Sequence, residues 1–125
     1  MKGFTLVEVM ISIIILLIGI FGVWAYFIYS KNALELAVKK RYASQICHMR
    51  LEELRSVDYN ALSGYEETNT PIKIDNLDGY RNTVIEDIDE NKDGRTDYKK
   101  ITVRVNWNQN GKEQKIEFVS FISPY

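Results

Sequence analysis

Cysteine, histidine and proline are nearly absent from this chain, and each scarcity removes a class of protein. The single cysteine, Cys47, excludes an intrachain disulfide and any zinc site built on cysteine pairs. His48 is the only histidine. On a helix it points about a quarter turn away from Cys47, so the two make no catalytic dyad. The prolines are Pro71 and Pro124, so no proline forces a kink in the first half of the chain. There is no glycine-rich phosphate loop and no GxSxG. A formal net charge of -1 leaves no global basic field for nucleic-acid binding.

What is present is one long uncharged run, residues 9–28, long enough to span a bilayer. The chain has 125 residues and is 46% hydrophobic, so with part of its apolar content in this run only a modest head domain remains. Glu8 opens the run. At a bilayer centre its charge would cost about 2.5–3.5 kcal/mol; near the end of the segment the cost falls, but an isolated carboxylate there still seeks a partner. Favourable interaction with a helix amino terminus is the simpler account. Trp24, Tyr26, Phe27 and Tyr29 cluster at the far end of the run, as an interfacial belt does.

No turn residues close the run. Leu34, Val38, Tyr42, Ile46, Met49, Glu53 and Val57 continue at steps of three or four, with Leu54 beside them. The spacing predicts one helix from about Thr5 to about Val57, apolar all round at first and then packed along that stripe against a head. Lys31, Lys39, Lys40 and Arg41 follow the apolar run and only Lys2 precedes it, which by the positive-inside rule favours a cytoplasmic carboxyl side. On a helix beside Glu35 these cations also suit a solvated or neighbour-facing surface, or contact with anionic headgroups.

Asp58-Tyr59-Asn60 and Ser63-Gly64 break the helix, and a polar connection runs through Thr70-Pro71. Alternating strands follow: a short one at Ile72 and Ile74, a second over 80–88, a third over 101–107 and a last over 112–121. Asn110-Gly111 is a hairpin signal between the last two. Ile101, Val103, Val105 and Trp107 are expected to face the helix, joined by Ile116, Phe118 and Ile122. Val119 and Phe121 leave the opposite face of the last strand unusually apolar.

Asp89-x-Asn91-x-Asp93-Gly94-x-x-Asp97 places oxygen side chains at alternate positions, as calcium loops do. Lys100 stands where an EF-hand has its bidentate Glu. Asp89, Asn91, Asp93 and Asp97 with the Arg95 carbonyl form a candidate Ca²⁺ set, and turn formation alone explains the same composition. No other cofactor is expected.

Gly3-Phe4-Thr5-Leu6-Val7-Glu8 followed by the apolar run resembles the processing site of type IV prepilins and type II secretion pseudopilins. The resemblance implies cleavage between Gly3 and Phe4 by a membrane prepilin peptidase, N-methylation of Phe4, and pairing of Glu8 with the Phe4 amine of a neighbouring subunit. It implies an α+β pilin-like fold, a long helix on a small antiparallel sheet. The expected divisions are a leader over 1–3, a transmembrane and filament-core helix over 4–29, its amphipathic half over 30–57 and a β-rich head over 58–125. Short length, the single Cys and the closing hairpin look most like V-type minor pilins and I-type pseudopilins, which start or tip filaments.

The implied role is noncatalytic. Partners would be other pilins or pseudopilins, the peptidase, a membrane platform protein and lipid, with the head extracytoplasmic. Two alternatives stay open: a secreted binding domain with a signal peptide over 1–25, and a single-pass anchored interaction domain.

Overall fold

The structure, a computed structural model, describes residues 3–124. A helix α1, Leu6–Arg55, is followed by a 3-10 helix at Tyr59–Tyr65 and four strands, β1 (Glu67–Ile74), β2 (Leu77–Ile88), β3 (Tyr98–Gln109) and β4 (Lys112–Ile122). The chain divides into two compact units, Met1–Ala37 and Val38–Tyr125.

The first unit is helical from Leu6, and its helix has a defined start. Thr5 Oγ1 accepts the backbone N–H of Glu8 at 3.2 Å, as the N-cap of a Thr-x-x-Glu box does. Ser12 is polar within the run, and its hydroxyl donates to the Glu8 carbonyl at 2.9 Å. Side chains from Leu6 to Tyr29 are exposed all round the helix. This segment is long and apolar enough to cross a membrane, and its composition is compatible with a single-pass anchor.

The second unit packs residues 38–55 of α1 on one face of an antiparallel sheet of order β1-β2-β3-β4. Alternation in β3 decides which face. Ile101, Val103 and Val105 are fully buried and Trp107 nearly so, while Thr102 and Arg104 between them point away. β4 pairs with β3 from Lys99↔Ile122 to Gln109↔Lys112. Asn110 (φ 54°) and Gly111 (φ 77°) form the two-residue turn, where only residues tolerant of positive φ fit. Gly79 is required for a different reason. A Cβ there would sit 2.7 Å from the Asn106 carbonyl oxygen and 2.9 Å from Ile74 Cδ1.

The expected helix stripe is corrected by one position. The buried residues of α1 are Lys39, Ala43, Cys47, Arg50, Leu51 and Leu54, at helical spacing. Leu34, Val38, Tyr42 and Met49 are exposed instead. The apolar pattern identified a real stripe but assigned it to the wrong partner, because the residues that meet the sheet include two cations. The segment expected to break the helix forms the 3-10 helix, held to the unit by fully buried Leu62, and the polar connection expected through Thr70-Pro71 lies within β1 instead. β1 begins at Glu67, earlier than the Ile72 start predicted from alternation.

Candidate functional site

Three places carry the sequence-derived residues: the start of α1, the helix face that meets the sheet, and the loop between β2 and β3.

At the start of α1, Gly3 and Phe4 precede the first helical turn and are exposed, as is Glu8. Met1 and Lys2 of the expected leader lie outside the described residues. The backbone of Glu8 is engaged twice, by Thr5 and Ser12. Its carboxylate has no partner among the described residues. The first turn of a helix favours a negative charge by about 0.3–1 kcal/mol, which does not replace a countercharge in apolar surroundings. An amine brought to this turn would be attracted strongly, since apolar surroundings screen the interaction far less than water does.

The helix face that meets the sheet holds groups that a search for apolar periodicity passes over. Lys39, expected at a solvated or headgroup-facing surface, is buried. Its Nζ lies 2.6 Å from Asp75 Oδ2 and also donates to Asn76 Oδ1, at the turn between β1 and β2. Arg50 donates from Nη1 to Glu53 and from Nη2 to the Tyr65 carbonyl, each at 2.8 Å, and its Nε is 3.4 Å from Glu67 Oε2. Glu67 in turn takes a two-pronged contact from Arg81, at 2.9 and 2.8 Å, and a hydroxyl bond from Thr83 at 3.0 Å.

Burial pushes the Glu67 carboxyl up, but hydrogen bonds from Arg81 and Thr83 and the charges of Arg50 and Arg81 outweigh it, so its pKa is lowered. Burial pushes the Cys47 thiol up to about 11 against the opposing charge of Arg81. Cys47 is thus a packed, protonated thiol and not a nucleophile. His48, next to it, is exposed. A readable signal did exist for this face: positions 39, 43, 47, 50 and 54 step by four, four, three and four, once Lys and Arg are admitted as buried residues with partners.

The loop between β2 and β3 is shaped by its own carboxylates. Asp89 accepts the N–H groups of Asp93 at 3.2 Å and Gly94 at 2.8 Å; Asp93 accepts that of Arg95 at 2.9 Å. Asp97 accepts the N–H of Glu90 at 2.9 Å. The amide of Asn91 lies 2.8 Å from Asp97 Oδ2 and 3.3 Å from Asp89 Oδ1, and donates to both when its nitrogen faces them. With its oxygen facing them instead, three acceptors would meet without a donor, which costs free energy unless a proton, water or cation lies between them. The structure thus brings Asp89, Asn91 and Asp97 together, while the Asp93 carboxylate serves the Arg95 amide. Among the described residues no group of three or more His, Cys, Asp or Glu side chains is placed to hold a metal ion.

Residues 1–24 match the family model described as the prokaryotic N-terminal methylation motif, the type IV prepilin-type processing site. The match covers the start of the chain and leaves the head outside it. No curated protein and no solved structure matches this chain.

Proposed function

We propose that this chain, which carries a prepilin-type processing motif and has a pilin-like fold, is a minor pilin or pseudopilin. It would be cut between Gly3 and Phe4, methylated on Phe4, and built into a type IV pilus, a type II secretion pseudopilus or the complex that starts one. The observation that carries the reading is Glu8: a carboxylate at the head of an uncharged helix, with no partner among the described residues. Cleavage creates the matching amine on Phe4 of a neighbouring copy or related subunit. Pairing the two sets the register at which a subunit enters.

The exposed stripe of α1 supports the same reading. Val38, Arg41, Tyr42 and Gln45 line a shallow hollow of about 320 Å³ on the side of the helix away from the sheet. Together with Met49 this face suits a neighbouring helix. Moving residues 9–28 from lipid into a bundle exchanges one apolar environment for another, so little hydrophobic free energy drives it. Work must come from elsewhere; in the proposed setting a cytoplasmic ATPase supplies it through a membrane platform protein. The role is noncatalytic, with the head outside the cytoplasm. Lys39 supports that orientation, because one of the four cations following the apolar run is paired inside the head and is not available to hold that flank in the cytoplasm.

Glu8→Leu tests the pairing. The variant is expected to insert in the membrane at the wild-type level and to be depleted at least tenfold from sheared filaments, measured by immunoblot of both fractions. Equal incorporation of Glu8→Leu and wild type would remove the pairing role.

A further inference from the structure

The two edges of the head sheet are built differently. β1 is a guarded edge: it contains Pro71, its pairing with β2 is irregular between Glu67 and Thr70, and Asn69 has φ 48°. Ile74↔Leu77 and Ile72↔Gly79 flank the two-residue turn at Asp75-Asn76, so Lys73 and Pro71 turn their backbone groups outward, and Pro71 has no N–H to offer. β4 has none of these devices. It is eleven residues long, with no proline, bulge or positive φ, and no strand among the described residues pairs with its outer side.

Hairpin geometry tells which β4 groups are free. Gln109↔Lys112 closes a two-residue turn and is therefore a hydrogen-bonded pair, so Lys112, Gln114, Ile116, Phe118, Ser120 and Ile122 bond to β3. Glu113, Lys115, Glu117, Val119 and Phe121 point their N–H and C=O groups outward. A second observation concerns the core. On the helix-facing side, Ile101, Val103 and Val105 of β3 are fully buried, but Ile116, Phe118 and Ile122 of β4 are only half-buried. The apolar layer continues to an edge that no further strand among the described residues covers.

We infer that β4 is a docking edge for one antiparallel strand of a different subunit that is anchored in the same orientation as this chain. That shared orientation rests on the proposed assembly role. A two-fold pairing of β4 with its own copy would run the two 38–55 helical segments antiparallel, which subunits sharing one membrane cannot do. A copy in the same orientation would present its β1, since in a four-stranded antiparallel sheet β1 runs opposite to β4; Pro71 and the irregularity disable that edge. The occupant is therefore a non-identical chain with an unguarded edge strand.

Charge sets its chemistry. Glu117 is taken by Arg104 at 2.6 Å and Glu113 accepts from Asn106, whereas Lys115 has no ion-pair partner among the described residues. The incoming strand carries an acidic residue opposite Lys115 and apolar residues opposite Val119 and Phe121 on one face, with apolar residues beside Phe118 and Ile122 on the other. This chain accepts a strand at one edge and offers none at the other, so it ends a row of sheets.

The test uses the full chain in its own cells, with a photocrosslinking amino acid in place of Phe121, alone and combined with Val119→Pro. Proline at 119 removes an outward N–H and no β3 bond, so the fold survives, checked by an unchanged thermal melt. Expected is an adduct mapped by mass spectrometry to an extended acidic-apolar segment of a different chain, reduced at least tenfold by Val119→Pro. An adduct with a second copy, no adduct, or one undiminished by Val119→Pro overturns the inference. Amide exchange of the purified chain gives an independent reading: Glu113, Lys115, Glu117 and Val119 should exchange fast and Ile116 and Phe118 slowly, and uniform protection along β4 would overturn the open edge. Absence of methylated Phe4 in the same cells would defeat the assembly role without deciding the edge.

Discussion

Glu67 is the carboxylate on which two arginines and a threonine of the head converge. It joins α1 through Arg50, β2 through Arg81 and Thr83, and its own strand β1. Glu67→Gln removes the carboxylate that Arg81 grips with two prongs and one of the two carboxylates beside the buried Arg50, which keeps Glu53; loss of such charged hydrogen bonds costs about 1.5–3 kcal/mol. The sign of the pH dependence follows from the lowered folded pKa. Unfolded Glu67 titrates near its ordinary 4.5, so its contribution is present above that value and is lost as pH falls through the folded pKa. Urea unfolding in detergent at pH 7 and in acid should therefore show the wild type losing more stability on acidification than Glu67→Gln. Parallel losses would contradict the role. The helix start near Thr5 was legible because Glu8, suited to a helix amino terminus, opens the uncharged run there. Lys39 and Arg50 were not, because a lone sequence marks cations as surface residues until their partners, here 36 residues away for Asp75, are brought beside them.

Among the elements, α1 has two working faces in its last five turns. One is buried on the sheet, with Ala43, Cys47 and Leu54 fully enclosed. The other exposes Tyr42 (43%) and Met49 (63%). Leu54→Ala should destabilise the head by about 2–5 kcal/mol, through lost burial and the cavity left behind. Tyr42→Lys with Met49→Glu should leave the melting temperature within a degree or two of wild type and reduce recovery in filaments at least tenfold. The reverse pattern, a destabilised head with normal incorporation, would show that the stripe packs internally after all. All four strands were legible in outline, because alternation and the Asn-Gly turn are local signals. The helix face was misplaced because hydrophobic periodicity reports that a stripe is apolar, not what it touches. The 3-10 helix escaped notice because Ser63 and Gly64 are ordinary loop residues, and only the burial of Leu62 shows the segment to be docked.

For the whole molecule, the fold and the motif meet in one physical design. A helix apolar on every side in its first half leaves those side chains exposed, and lipid or other apolar helices suit them far better than water does. The head is stabilised separately, by a sheet and an internal ion-pair network that need neither. Such a subunit can exchange one apolar environment for another without unfolding. In the proposed assembly the charged group of the apolar segment that would resist the exchange is Glu8, and its proposed partner is the amine that cleavage would create on Phe4. The central claim is therefore that the mature chain begins at Phe4. Mass spectrometry of the intact protein from membranes and sheared filaments tests it directly. The account predicts a chain starting at Phe4 with one methyl group on its amine. A chain starting at Met1, as an uncleaved anchor would, or at Tyr26, as a secreted domain would, contradicts it.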